Sequence, residues 1–380
     1  MDDIKQSGNA NRIGVVAVYC SKSCNMPLSN LINILIPFSK TCCLITGNEG
    51  SKFFHSDTRI NIEEIYNLSG EFFVSRLFRF VRTQVKTAFK IIRISDRIDI
   101  WIFFYGGAQS ILPLLSAKLS NKKTLLLLPD AGPQKSTNLS KVIIFALRSL
   151  AVINYNIIDR IIVYSSNLIQ NWNLEPYRHK ILIAHEHFLD ITTFPVTTPL
   201  RDRPPLIGYI GRLSGEKGVQ HFAQALPAIL DDRQDLRVII GGDGQLKESI
   251  AASLQEGGVA AQVNLPGWIS HDDLPSYLNQ LQLLVLPSYT EGLPNIMLEA
   301  MACGTPVLAT PVGAIPDVII DGKTGFIMEN NSPECIAENV IRALNSPDLE
   351  RIAEDGRRFV EENFTLERAV ERWKEVLEEI

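Results

Sequence analysis

Apolar and polar positions along the second half of the chain follow two alternating rhythms. Leu206–Ile210, Leu236–Ile240, Val263–Leu265, Leu283–Leu286 and Val307–Ala309 are short, nearly unbroken apolar runs, the pattern of strands buried on both faces. Between them Val219–Leu230, Leu246–Gln255, Asp272–Leu281 and Asn295–Ala302 read as helices, and after a turn at Phe326 so does Pro333–Leu344. The first half repeats the rhythm less clearly, with strand candidates at Gly14–Tyr19, Cys42–Thr46, Ile98–Phe104, Thr124–Leu128, Arg160–Tyr164 and Ile181–Ile183. Such alternation predicts βαβ units around parallel sheets. A stretch with Pro195, Pro199, Pro204 and Pro205 can continue neither a helix nor a central strand, so a boundary falls there. The expected fold is α/β: two Rossmann-like, doubly wound domains, residues 1–198 and 199–362, facing each other across a cleft. Leu366, Ala369, Val370, Trp373, Val376, Leu377 and Ile380 form one stripe of a closing helix, 363–380, expected to pack back toward the N-terminal domain. Ligands are expected at the C-terminal ends of the strands.

Composition narrows the class. The 380 residues are 46% apolar and 21% charged, ordinary globular usage that excludes a disordered or fibrous chain. A chain of this size builds a core without disulfides or metals. Six cysteines show no Cys-x-x-Cys pair, as expected of reduced thiols in a cytosolic protein. The acidic start Met1-Asp2-Asp3-Ile4 predicts no secretory signal, and the longest apolar run, Val142–Ile158, is broken by Arg148, Asn154 and Asn156. The net charge of −5 conceals an asymmetry. Residues 1–200 carry 22 Lys and Arg against 14 Asp and Glu, whereas residues 201–380 carry 15 against 28. The basic half is expected to face something anionic. Nucleic acid is not expected, because the whole chain is acidic and shows no recognition motif.

Candidate chemistry clusters in the second half. Gly208-Tyr209-Ile210-Gly211-Arg212-Leu213-Ser214-Gly215-Glu216-Lys217-Gly218 is a strand entering a glycine-rich loop before a helix. Its glycines admit a ligand close to the backbone, the helix start favours an anion, and Arg212 and Lys217 add fixed cations suited to a diphosphate. Gly241-Gly242-Asp243-Gly244 is a second glycine turn, without dinucleotide spacing. Next, Leu283–Leu286 ends in a loop carrying Glu291, Pro294 sits where a helix should start, and Glu299 lies inside that helix between apolar neighbours. A carboxylate there is costly unless a ligand or partner satisfies it. Surface acids and solvated cations are the bland alternatives.

Taken in order, Gly211-Arg212-Leu213, Lys217-Gly218, Gly242-Asp243-Gly244, Gly267-Trp268, Pro287-Ser288, Glu291, Glu299-Ala300-Met301-Ala302 and Gly304-Thr305-Pro306 resemble the family 4 retaining glycosyltransferases of GT-B fold. The closing Gly313, Asp317 and Asp321-Gly322-Lys323-Thr324-Gly325-Phe326 look like the same family. The resemblance implies an enzyme of hexosyltransferase type. Its donor would be a nucleotide sugar, with UDP the expected nucleotide though no residue identifies the base, and its acceptor a glycan or lipid-linked acceptor. By that resemblance Arg212 and Lys217 bind the donor diphosphate together with the Gly211 turn, and Glu291 contacts the sugar hydroxyls. Glu299 binds the ribose, Gly292, Leu293, Pro294 and Asn295 present amides, and Trp268 and Ile269 hold the base edge. Arg212, Lys217 and Glu291 are the expected catalytic residues. No Asp-x-Asp triplet occurs, so no metal or other cofactor is expected, and the diphosphate is expected to be neutralised by cations and helix amides.

The first half departs from the family pattern. No glycine pair follows the first strand at Tyr19-Cys20-Ser21-Lys22-Ser23, and Leu128-Pro129-Asp130 keeps an Asp where many members have a His-Asp pair. Asp130 is therefore the acceptor-side candidate. His185 and His187 flank Glu186, which reads as a loop more readily than as a metal site. A nucleotide-sugar epimerase or hydrolase of the same fold, and a non-catalytic nucleotide-sugar-binding protein, stay open as alternatives. Finally, residues 72–93 place Arg76, Arg79, Arg82, Lys86, Lys90 and Arg93 on one helical face beside an apolar face of Leu77, Phe78, Val81, Val85, Ala88, Phe89 and Ile92. Either the apolar face packs on the sheet, or the helix lies on an anionic membrane surface. The expected location is the cytoplasm, in the second case on the inner membrane face.

Overall fold

The structure, a computed structural model, describes residues 11–19, 24–65, 73–104, 106–129 and 141–380. It divides into two compact units, residues 1–187 with 367–380 and residues 188–366. In the first unit, strands β1 (Asn11–Ala17), β2 (Ser39–Gly47), β3 (Ile60–Ile65), β4 (Ile100–Phe103), β5 (Lys123–Leu128), β6 (Arg160–Val163) and β7 (Ile181–Ile183) form one parallel sheet in the order β3-β2-β1-β4-β5-β6-β7. Helices α1 (Asn25–Leu35), α2 (Asn48–Phe54), α3 (Phe73–Ile94), α4 (Ile111–Leu119), α5 (Lys141–Ile157) and α6 (Asn167–Asn171) connect them. Crossovers between parallel strands are right-handed, so the connections stepping from β3 back to β4 and on to β6 share one face. Helices α3, α4 and α5 form that layer, and α4 packs against both of the others. The sheet core is tight: the fully buried Trp101 of β4 lies over Gly14 of β1, where any Cβ would stand 2.4 Å from the indole.

In the second unit, β8 (Leu206–Ile210), β9 (Arg237–Gly241), β10 (Val263–Gly267), β11 (Leu283–Leu286), β12 (Val307–Ala309) and β13 (Phe326–Ile327) form a second parallel sheet in the order β10-β9-β8-β11-β12-β13. Its helices are α7 (Val219–Asp232), α8 (Lys247–Glu256), α9 (Leu274–Leu278), α10 (Asn295–Ala302), α11 (Ile315–Val318), α12 (Pro333–Leu344) and α13 (Leu349–Asn363). Phe222 and Leu226 of α7, Val340 of α12 and Ile240 and Val285 of the sheet share one buried core. The α/β alternation expected from the apolar rhythm is the architecture observed.

Three local features depart from the pattern reading. Strand β3 is an edge strand whose Asn61, Glu63 and Glu64 interrupt the apolar signal. Helix α13 goes unread in the apolar rhythm. Moreover, the proline-rich stretch is not a bare tether but packs within the second unit. Buried Arg203 donates to the carbonyls of Thr198 (3.0 Å), Leu278 (3.3 Å), Leu281 (2.8 Å) and Cys303 (2.6 Å) and to Thr305 Oγ1 (2.7 Å). Burial lowers its pKa to about 10.

The last helix, α14 (Leu366–Glu378), buries Ala369, Val370, Trp373 and Val376. Its Trp373 Nε1 donates to the His185 carbonyl at 3.0 Å, and Arg372 Nη1 meets the His185 ring at 2.6 Å. His185 and His187 are buried, and burial holds His185 well below its usual pKa. Glu186 between them is fully enclosed. The Tyr164 hydroxyl donates to its Oε1 at 2.5 Å, while burial raises its pKa to about 7. Among the described residues no three His, Cys, Asp or Glu side chains are placed to hold a metal ion, and no helix is long and apolar enough to cross a membrane.

Candidate active site

The candidate residues gather at the C-terminal ends of the second sheet. Strands β8 and β11 are neighbours, and the strand order reverses between them, so the loops that follow them separate and leave a crevice for a ligand. The loop after β8 is pressed against the end of β11. Gly218 has φ +66°, and a Cβ there would stand 1.9 Å from the Pro287 carbonyl oxygen, so only glycine fits. The Tyr289 amide also donates to the Glu216 carbonyl at 2.9 Å. The second glycine turn closes on the same loop, because Gly242, at φ +133°, would place a Cβ 1.8 Å from the Gly211 carbonyl oxygen. Leu213 N donates to the Asp243 carbonyl at 2.9 Å.

This packing brings Lys217, on the first loop, onto Glu291, on the second. Lys217 Nζ lies 2.7 and 2.8 Å from the two Glu291 oxygens, and Ser288 Oγ donates to Oε1 at 2.7 Å. The Glu291 side chain is only 9% exposed and that of Lys217 26%, so this pair is largely shielded from water. A desolvated carboxylate needs such partners, and removing one leaves a buried charge uncompensated. Tyr209, beneath the loop, has its hydroxyl donating to the Arg212 carbonyl at 2.7 Å. Burial, and then the nearby Glu291 charge, push its pKa far above normal.

The other expected residues are placed as follows. Arg212 does not touch Glu291. It reaches Glu216 Oε1 at 3.4 Å and its side chain is 63% exposed. Burial works against ionisation of Glu216, but the Ser214 hydroxyl, the residue's own amide and the Arg212 and Lys217 charges outweigh it and lower its pKa. Glu299 is buried within α10 and faces His271, whose Nε2 is 3.4 Å from Oε1. The Glu299 hydrogen bond, opposed by partial burial, raises the His271 pKa. Pro294 is the N-cap of α10, one position earlier than a first-turn proline, and no side chain caps the helix. The leading amides of Asn295 and Ile296 therefore lack a capping side chain at the end where the dipole favours an anion. Leu293 is buried, and the Gly292 carbonyl accepts from Ala314 N at 2.8 Å. Gly267 follows on β10, its carbonyl accepting from Gly242 N at 2.7 Å. Ile269 packs over Gly241, whereas the Trp268 side chain is 80% exposed. Asp130, the acceptor-side candidate, lies outside the described residues, as do Cys20–Ser23 after β1.

Sequence reasoning named neither Ser288 nor His271 nor Glu216 as partners. Ser288, three residues before Glu291 in the same loop, was the one with a visible signal. His271 and Glu299 are far apart in sequence, so nothing in the pattern pairs them.

The family model for glycosyl transferases group 1 matches residues 190–359. The chain is 29% identical over 204 residues to the alpha-D-kanosaminyltransferase of Streptomyces kanamyceticus, covering 52% of this chain and 53% of that protein. It is 30% identical over 167 residues to the capsular polysaccharide biosynthesis glycosyltransferase CapM of Staphylococcus aureus, 42% of each. The matches thus span about half the length of these relatives. The crystal structure of HepE from Anabaena in complex with UDP superposes with a TM-score of 0.77 at 16% identity, over 97% of this chain and 100% of that one, a likeness of fold. Residues 190–359 therefore match the group 1 glycosyl transferases, on a chain with a two-unit α/β fold like that of GT-B glycosyltransferases.

Proposed function

We propose that the chain is a retaining glycosyltransferase of hexosyl type. It moves a sugar from a nucleoside diphosphate donor, with UDP as the nucleotide, to a glycan or lipid-linked acceptor. It works in the cytoplasm against the inner membrane face. The observation that carries this reading is the shielded Lys217–Glu291 pair where the strand order reverses. A donor entering there would set its diphosphate against the Lys217 ammonium, the Arg212 guanidinium and the leading amides of α10. Its sugar hydroxyls would meet Glu291, and its ribose hydroxyls Glu299. The bond from the anomeric carbon to the diphosphate oxygen breaks, and a bond from that carbon to the acceptor oxygen forms. The acceptor proton passes to the departing phosphate oxygen on the same face, which retains the configuration. Lys217 and Arg212 meet charge that grows on the leaving group, the kind of preorganised stabilisation that contributes most in such reactions. With no Asp-x-Asp triplet in the chain, these cations and amides do the work of a chelated metal. The UDP of the HepE complex and the polysaccharide named for CapM support the choice of donor and acceptor class. Asp130 is proposed to face the acceptor.

Turnover against a panel of nucleotide sugars with glycan and lipid-linked acceptors, read as free nucleoside diphosphate, tests this reading. We expect acceptor-dependent release from a UDP-sugar, reduced about 10²–10³-fold in Arg212→Ala and in Glu291→Ala. Release that needs no acceptor, or that both variants leave unchanged, contradicts the proposal.

A further inference from the structure

Among the described residues, the α3–α5 layer of the first unit exposes a run of large apolar side chains. Helix α3 does not lay its apolar stripe on the sheet. Phe78, Val81, Val85, Phe89 and Ile92, spaced three or four residues apart, all face solvent, with Phe78 68% and Phe89 67% exposed. What α3 buries instead is Thr83, Gln84 and Thr87, with Ile91 and Ile94 toward its end. Gln84 is satisfied there, its Nε2 donating to the Gln109 carbonyl at 3.0 Å. The sheet-packing reading of the apolar stripe is thus corrected. The helix is amphipathic in the opposite sense to an ordinary surface helix, with a polar seam inward and an apolar seam outward.

The neighbouring helices extend the seam. Leu112, Leu115 and Leu119 of α4, the last 87% exposed, and Phe145, 72% exposed, with Val152 and Ile153 of α5 are also open to water. Exposed apolar groups of this size and number on one helical layer mark an interaction site. The charge on the layer selects the partner. Helices α3, α4 and α5 contain nine Lys and Arg and no Asp or Glu, although the whole chain is acidic. Arg82 and Lys86 flank the α3 stripe half-buried, as expected of cations that snorkel. Lys90 and Arg93 are anchored to Glu63, which fixes the helix on β3.

We infer that the outer face of α3, α4 and α5 docks onto an anionic lipid bilayer, with the α3 stripe inserted at the acyl boundary and the adjacent cations at the headgroups. The combination is that of an interfacial helix: an apolar seam for insertion and a one-sided basic border for anionic lipid. Among the described residues no helix is long and apolar enough to cross the bilayer. The inference deepens the proposed location at the inner membrane face; it is argued from the first unit alone, so it and the donor site of the second unit can fail separately.

Flotation of the full chain with vesicles tests it, comparing phosphatidylcholine alone with phosphatidylcholine containing phosphatidylglycerol. We expect flotation with the anionic vesicles only, weakened at least tenfold between 50 and 500 mM salt. The Phe78→Ser, Phe89→Ser pair should lower partitioning at least tenfold with an unchanged melting curve. Arg82→Gln with Lys86→Gln should abolish the preference for anionic vesicles while the chain stays folded. Three outcomes overturn the inference: no flotation at low salt, equal flotation on neutral vesicles, or a sedimenting dimer dispersed by the two phenylalanine substitutions.

Discussion

Glu291 and Glu186 are both carboxylates largely shielded from water, and their surroundings give them different chemistry. Glu291 is held by an ammonium and a hydroxyl at the mouth of the strand ends, where a ligand can exchange with both. Glu186 has one donor, Tyr164, and its second oxygen has no hydrogen-bond partner, so burial raises its pKa to about 7 from 4.5. The folded chain therefore keeps this proton over the pH range in which the unfolded chain has released it. The stability it contributes is complete below about pH 4.5 and is lost as pH rises through about 7. Neighbouring His185 has the opposite sign: its pKa is depressed by burial, so its contribution is lost as pH falls below its usual value near 6.5. Replacing Glu186 by Gln keeps an acceptor for Tyr164 and removes the ionisation. The variant should be about 3 kcal/mol more stable than the parent at pH 8, a gain that shrinks toward zero near pH 5. Urea midpoints at pH 5, 6, 7 and 8 measure it, and a gain that does not change with pH would refute this account.

At the scale of elements, the β/α rhythm of the second half was readable because strands buried on both faces are apolar without interruption. Leu283–Leu286, Asn295–Ala302, Val307–Ala309 and Pro333–Leu344 occur with the bounds that the pattern predicts. Legibility failed where an element is only partly buried. Strand β3 lies at a sheet edge and carries two glutamates, one of which, Glu63, anchors α3. Helix α3 shows the limit of periodicity: its amphipathicity was visible, but which face turns inward was not, because Thr83 and Thr87 are buried where apolar residues would be expected. The proline-rich stretch looked like a linker because prolines break regular structure, yet such a segment can still be bound tightly by side chains. Arg203 makes that difference, and Arg203→Met should cost about 3 kcal/mol by leaving several buried carbonyls without a donor. Thermal melts of the parent and variant, with unchanged far-ultraviolet dichroism, check this; a matched melting temperature would mean that the network contributes nothing.

On the scale of the whole molecule, the proposed donor site and the proposed membrane face belong to different units. The second unit holds the segment that matches the group 1 glycosyl transferases and the Lys217–Glu291 pair, and that segment was legible because its short motifs follow one another in a fixed order. The first unit carries the apolar and basic layer, and its contribution to the reaction was not legible, since Asp130 and the turn after β1 lack the family's full pattern. The charge asymmetry between the halves now has a physical place, with the excess of cations concentrated on α3, α4 and α5. Lys217 and Glu291 mark the place proposed here to bind a nucleoside diphosphate. Titration calorimetry of UDP into the parent chain and into Lys217→Ala, with melting curves matched, tests that most directly. The account predicts that the parent binds and that the variant binds at least tenfold more weakly, about 1.4 kcal/mol or more. Equal UDP affinity in a folded Lys217→Ala chain would contradict it.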